Sequence, residues 1–460
     1  MRPRPVLALG LVAVLGGCSL QPHYVRPASP VPPAWPTGDA YLRQSEQDLP
    51  AYTWRGVFGD PRLQTVIDQA LSHNQDIAAA VANIGLARAQ YQVQRAQLLP
   101  AVGTTAGASE GDNGKGETTT LSANAGVTGY EVDLFGRLAS LNAAARDRYL
   151  SSVSAARATR LTLVAEVASA WLACAADRSL LELAQQTADA ARESLRLTQM
   201  RYNGGVAPKS DMRQAEIVLH TAEADIANQT TQVAQDINAL RLLVGADVAP
   251  DNLPASIADA TGRIAAVPAG LSSDILLRRP DVVEAEWQLR AANAQIGAAR
   301  AALFPKISLT GLAGFASTAL SALFSGGSFV WQAGGSASYP LFNGGAGRAN
   351  VRASEAQRDL ALAGYRKAIQ SAFADVANVL ARRGTIDRQL AAAEATRAAA
   401  ADNLALSDLR YRGGVGTYLQ DLTARLSSYS AERALVQTRY TEAASRVGLY
   451  RALGGDGSLE

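Results

Sequence analysis

The chain has 460 residues, 48% hydrophobic and 18% charged, which is ample for a large folded core and excludes a disordered chain. Its 43 basic and 41 acidic residues leave a net charge of +2, so nothing points to nucleic acid or an acidic partner.

Residues 1–17 have the layout of a secretory signal. Arg2 and Arg4 precede an apolar run over residues 6–15, too short for a typical membrane span. The run ends Leu15-Gly16-Gly17-Cys18, which resembles a bacterial lipobox, where a signal peptidase cuts before a lipidated cysteine. The alternative is an ordinary signal peptide with an incidental cysteine. On the lipobox reading Cys18 carries covalent diacylglycerol and an N-acyl chain. At about 0.8 kcal/mol per buried methylene, more than one chain gives durable anchoring. Ser19 follows, where inner-membrane lipoproteins often have aspartate. The only other cysteine, Cys174, reads as a small buried residue on a helical seam.

Residues 18–60 form an N-terminal tether, with Pro22, Pro27, Pro30, Pro32, Pro33 and Pro36 keeping it extended. Asp60-Pro61 opens a helical run expected over residues 62–99, ended by Pro100. The periodicity then changes to two. Leu121, Ala123, Ala125, Val127 and Gly129 alternate with Ser122, Asn124, Gly126 and Thr128, a strand with one apolar face. Residues 101–109 are a weaker partner and 110–117 a solvated turn, giving a β-hairpin over 101–132.

Residues 138–202 contain no proline and predict one helix about 98 Å long at roughly 1.5 Å per residue. Alternating steps of four and three from Leu163 reach Val167, Ala170, Cys174, Asp177, Leu181, Ala184, Ala188, Ala191, Leu195, Thr198 and Tyr202. This 3.5-residue period is a coiled-coil seam. Gly204-Gly205 turns the chain into a further helix over 210–244.

The unit then repeats. After a connector at 251–280, assigned to an equatorial region, come a helix, a hairpin over 307–342, a long helix over 346–411 and a helix over 417–453. The second seam runs Ala372, Val376, Val379, Arg383, Ile386, Leu390, Ala393, Arg397, Ala400, Leu404, Ser407, Tyr411. Tyr202, Gly204, Gly205 and Val206 recur 209 positions on as Tyr411, Gly413, Gly414 and Val415. Residues 61–250 and 281–460 are thus two copies of one structure. No charge falls between Lys306 and Arg348. A transmembrane helix is the alternative there, but the glycine content and two-residue period favour strands long enough to cross a bilayer.

Four strands cannot close a barrel, and open edges are not tolerated in lipid. Three chains would supply twelve strands around a pore and a matching ring of helices. Two chains would close at eight, with side chains filling the interior.

Several stretches resemble TolC-like outer membrane factors, specifically the NodT/OprM lipoprotein branch. One is Leu276-Leu277-Arg278-Arg279-Pro280-Asp281, continuing through Gln295-Ile296-Gly297 to Phe304-Pro305-Lys306. Others are Arg201-Tyr202-Asn203-Gly204-Gly205-Val206-Ala207 with Asp211, and Phe58-Gly59-Asp60-Pro61-Arg62-Leu63. The resemblance covers essentially the whole mature chain. It implies a mainly α fold with a membrane β-barrel: a trimeric, twelve-stranded barrel continuing into a long α-helical barrel, four strands per chain.

The implied function is that of the exit duct of a tripartite efflux system in the bacterial outer membrane, passing drugs or toxic solutes outward. The implied partners are two sister subunits, a periplasmic membrane-fusion adaptor, outer membrane lipid and, directly or through the adaptor, an inner-membrane pump of RND, MFS or ABC type. The alternatives are a type I-like polypeptide secretion duct and a non-conducting structural lipoprotein spanning the envelope. The latter explains the helices but not the amphipathic strands.

The resemblance also places the Gly-Gly turns at a periplasmic aperture. Candidate residues there are Tyr202, Val206 and Asp211 in copy one, and Arg410, Tyr411, Val415, Tyr418, Leu419 and Asp421 in copy two. The family commonly carries acidic residues just after the second Gly-Val and in a Leu-Asp-Ala run. This chain has Gly416 and Leu422-Thr423-Ala424 instead, with Asp421 displaced. Asp421 reads either as a gate residue or as a solvated helix charge. His23, His73 and His220 have no metal-ligand spacing, and neither a P-loop nor a nucleophile–base set occurs. The sequence therefore implies no enzyme, no metal and no cofactor beyond the lipid on Cys18.

Overall fold

The computed structural model describes residues 19–41, 53–112, 114, 116–265, 272–454 and 456–459. The signal segment and Cys18 lie outside the described residues. In chain order the elements are α1 (Trp54–Val57), α2 (Pro61–His73), α3 (Gln75–Ala96), β1 (Val102–Asp112), β2 (Glu117–Glu131), α4 (Arg137–Asn203), α5 (Lys209–Val244), α6 (Ile257–Thr261), α7 (Pro280–Ala301), β3 (Lys306–Ser317), β4 (Phe329–Ser338), α8 (Ala346–Arg412) and α9 (Tyr418–Leu453). They divide between two compact units. One takes the chain up to Ala28 with Ala82–Ser154 and Val283–Lys367; the other takes Ser29–Val81, Ala155–Val282 and Ala368–Glu460.

The first unit holds the sheet, in the order β1-β2-β3-β4 and antiparallel throughout. The expected hairpins are present with shifted ends. β1 runs on to Asp112, which leaves a tighter turn than the one expected over 110–117. β4 stops at Ser338, so Tyr339 and Leu341 lie beyond it; Pro340 follows and has no N–H for a ladder. The stretch between Lys306 and Arg348 folds as β3, a loop and β4 before α8 begins, not as a membrane helix. In the same unit residues 19–28 are strapped down rather than free. Arg26 grips Glu286 through two bonds of 3.1 and 2.7 Å, Asn293 donates to the Pro22 carbonyl at 2.8 Å, and Arg290 stacks over Tyr24. Burial alone would push the Glu286 carboxyl up, but Arg26 and Arg290 outweigh it and hold the group below the ordinary range.

In the second unit the chain departs from the expected helix pattern. The helix expected over residues 62–99 is broken at Asn74, between α2 and α3. The Asn74 side-chain oxygen accepts from the backbone N–H of Asp76 (2.8 Å) and Ile77 (3.1 Å), which is N-cap chemistry. Its amide donates to the carbonyl of Leu243 at the end of α5, 2.8 Å away. Copy two repeats the device with a different residue. Arg279, just before α7, donates to the carbonyl of Ala452 near the end of α9 at 2.6 Å. In each copy the returning helix closes on a left-handed glycine, Gly245 (φ 73°) or Gly454 (φ 66°).

The seams are largely covered. Val167, Cys174, Ala184, Ala188 and Thr198 are buried, as are Ala372, Val376, Ile386 and Tyr411. The long apolar stretch of α4 could by length cross a membrane, but more than half of it is buried inside the protein. Trp171 fixes it to the connector by donating to the Asn252 carbonyl at 2.9 Å. The tether is docked in this unit too: Ser273 donates to the Pro32 carbonyl at 2.6 Å and Trp35 stacks on Phe373.

Candidate functional site: an unclosed sheet and two helical corners

The strand register places a row of apolar side chains on one face. Directly opposed residues share a face. Trp331 pairs with Ala313, Phe329 with Phe315 and Gly335 with Leu309. Ala123 pairs with Phe315 and Ala125 with Ala313, and Val102, Thr104, Ala106 and Ala108 continue the row. From Val102 to Ala108 and across to Trp331 that face is apolar apart from Thr104, and towards the β1–β2 turn and Ser317 it becomes polar, with Glu110 opposite Thr119, Asp112 opposite Glu117 and Leu121 opposite Ser317. The opposite face carries Ser122, Asn124, Ser308, Thr310, Gln332, Ser336 and Ser338, so one side suits lipid and the other water. Phe329, Trp331 and Val102 are 60%, 72% and 77% exposed, far more apolar surface than a soluble face leaves open.

β2 and β3 approach closely, because a Cβ at Gly314 would collide with the Ala123 carbonyl. β1 and β4 each have a neighbour on one side only. Among the described residues, their outer N–H and C=O groups have no strand to bond. Where the hairpins meet the helices, Glu131 binds Arg137 at 2.7 Å and Lys306 at 3.1 Å.

The other unit holds two helix–turn–helix corners built alike. After α4, Gly205 (φ 74°) donates to the Tyr202 carbonyl at 3.0 Å and Val206 to the Arg201 carbonyl at 2.9 Å. After α8, Gly414 (φ 78°) donates to Tyr411 at 3.1 Å and Val415 to Arg410 at 3.0 Å. Both are Schellman closures, which need the left-handed residue. Gly416, where the family often has an acid, sits so tightly that a Cβ would lie 3.1 Å from the Arg410 Cβ. Thr417 then opens α9 with a reciprocal capping box to Gln420.

The predicted aperture residues fall into two groups. Tyr202, Val206, Arg410, Val415 and Leu419 are exposed, and Asp211 is half-buried. Tyr411, Tyr418 and Asp421 are buried. The rings of Tyr411 and Tyr418 lie 5.6 Å apart, and Arg201 stacks over Tyr411 while donating to its carbonyl at 3.0 Å.

Asp421 is not a solvated charge. It is fully buried and accepts from Arg425 Nε at 2.7 Å. Arg425 also reaches Asp408 at 2.6 Å, and Asp408 binds Arg412 at 2.7 Å. Burial pulls the Arg425 guanidinium down, but the two carboxylates outweigh it and hold it further above its ordinary value. Sequence reasoning missed Arg201, Asp408 and Arg425. The i,i+4 spacing of Asp421 and Arg425 is a readable signal, whereas Asp408 lies on another helix.

The outer membrane efflux protein family matches residues 66–246 and 271–455. The chain belongs to that family. Among relatives of this outer membrane efflux protein, the toluene efflux pump outer membrane protein TtgC of Pseudomonas putida is 42% identical over 463 residues, covering 98% of this chain and 96% of that protein. Outer membrane protein OprJ of Pseudomonas aeruginosa is 38% identical over 458 residues, 98% of this chain and 95% of that one. The open-state structure of the Neisseria gonorrhoeae MtrE outer membrane channel matches with a TM-score of 0.86 at 35% identity, over 95% of this chain and 98% of that one. The efflux protein therefore has the TolC-like fold and resides in the outer membrane.

Proposed function

We propose that this efflux protein is the outer-membrane exit duct of a tripartite pump. It takes small toxic solutes from a periplasmic adaptor and an inner-membrane pump, and three copies close one twelve-stranded barrel. The observation that carries the reading is the unclosed two-faced sheet. Its apolar side requires lipid, its polar side requires water, and its two bare edges require sister strands.

Cargo of aromatic-solvent or antibiotic type rests on the relatives, one of which is named for toluene efflux. Covalent lipid on Cys18 supplies the anchor, and the strapped residues 19–41 connect it to the fold. At the corners, the exposed Tyr202, Val206, Arg410, Val415 and Leu419 line the aperture. Tyr411, Tyr418 and Asp421 hold the second corner shut from within.

Deleting the gene should sensitise the cell to toluene and to hydrophobic antibiotics, and plasmid-borne protein should restore resistance. Unchanged tolerance with loss of a secreted polypeptide would overturn the cargo assignment. A cysteine pair linking β1 of one copy to β4 of the next should give a covalent trimer on a denaturing gel.

A further inference from the structure

The two hairpins end in different chemistry. The β1–β2 turn is flanked by Glu110, Asp112 and Glu117, and Asp112 accepts from the Gly114 and Gly116 N–H groups. The β3–β4 loop, residues 318–328, has no charge and carries Leu320, Leu323 and Phe324. A short turn at Leu320–Ala322 and serine bonds keep much of its backbone occupied. Leu323 donates to Leu320, Ser325 to Ala322 and Ser328 to Ser325, and the Ser328 hydroxyl donates to the Leu323 carbonyl at 2.7 Å. A loop with part of its polar backbone met internally suits the interface, where headgroups and water can meet the rest.

Its direction is set by one contact. The Phe324 ring packs edge-on against Phe315, centroids 5.4 Å apart. Phe315 belongs to the apolar face, opposite Ala123 and Phe329. The loop therefore folds towards that face, with Leu323 buried beneath it and Leu320 and Phe324 74% and 73% exposed. These side chains extend the exposed row of Phe329 and Trp331. A lid over a pore would carry Phe324 to the opposite face, beside Thr310 and Gly314.

We propose that the β3–β4 loop is an interfacial lipid anchor that places Leu320 and Phe324 in the boundary between headgroups and acyl chains, and is not a lid on the pore. This rests on the sheet spanning a membrane, and its occupant is lipid because its apolar surface is continuous with the face assigned to lipid.

The test uses full-length protein reconstituted in phosphatidylcholine–phosphatidylglycerol vesicles. An environment-sensitive fluorophore is placed at Phe324→Cys, Ala333→Cys or Asp112→Cys; the buried Cys174 stays unlabelled. Nitroxides on shallow acyl positions should quench the probe at 324 several times more strongly than at 112, and aqueous iodide should do the reverse. Quenching at 333 by acyl nitroxides reports the membrane reading by itself. A probe at 324 that behaves like 112 while 333 stays in lipid overturns the anchor alone. A water-exposed 333 overturns the membrane reading and the anchor with it. Single-channel conductance of the Leu320→Ser, Phe324→Ser double variant should match the parent; a rise would identify a lid.

Discussion

At the α4–α5 corner Tyr202 is 37% exposed; at the α8–α9 corner its counterpart Tyr411, 209 positions on, is 5% exposed. Lys209, exposed, corresponds to the buried Tyr418, and the buried Met212 to the buried Asp421. The backbone is the same at both, down to the Schellman bonds and the left-handed glycine. Turn geometry therefore survives duplication because it depends on a few local residues. What the corner buries does not, because it depends on the neighbouring helices. Copy one keeps a bare tyrosine at its tip, whereas copy two locks its tyrosine under Arg201 and adds an Asp–Arg–Asp network.

The largest expected effect separates the buried pair. Asp421→Ala should cost about 2–3 kcal/mol, below the 3–5 typical of a fully broken buried pair because Asp408 still holds Arg425. Met212→Ala should cost a similar 2–3 kcal/mol through its cavity. Thermal unfolding of the purified proteins measures both. In planar bilayers only Asp421→Ala should raise conductance; an equal rise for Met212→Ala would erase the distinction between the corners.

Next come the glycines. Gly205→Ala and Gly414→Ala should each lose about 1–2 kcal/mol, the cost of forcing a side chain into left-handed backbone. Unequal losses would show that the corners do not share one backbone device.

The copies also differ in acid–base behaviour. Asp236 on α5 lies against Asp177 on the α4 seam, with Tyr440, Cys174 and Arg178 nearby. The corresponding residues in copy two are Ile386 and Ser445. Burial first, then the Asp177 carboxyl, pushes the Asp236 carboxyl up to about 7 from 3.8. Between those values the folded chain holds a proton that the unfolded chain has released. Stability should fall as pH rises from about 4 to about 7 and level off above that, as far as this group is concerned. Asp236→Asn should flatten that slope in melting temperature, which the pair makes a matter of a few degrees.

The smallest effect is at the tyrosine hydroxyls. Tyr411→Phe removes only a 3.4 Å contact to Thr198 and should cost about 0.5 kcal/mol. Tyr202→Phe should cost nothing measurable.

Much of this was legible beforehand. The proline-free runs located α4 and α8 to within a residue or two, the 3.5-residue seams marked much of their buried face, and period two located the hairpins. Asn74 was a readable breaker, since Asn is a strong N-cap, yet nothing nearby says that its amide will tie down Leu243. The aperture set mixed exposed and buried residues because membership of a tip is a matter of position, while exposure depends on how the helices meet.

By itself the sequence determined the duplicated order of helices and strands, the two glycine closures and the two-faced sheet. Periodicity and left-handed backbone act over a few neighbouring residues and need no partner. Only the tertiary structure decided that Asp421 is sealed against Arg425, that Asp177 meets Asp236, and that the β3–β4 loop leans towards the apolar face. Each of those depends on which distant segment lies opposite, and burial in a packed interior is a property of the pair rather than of either residue.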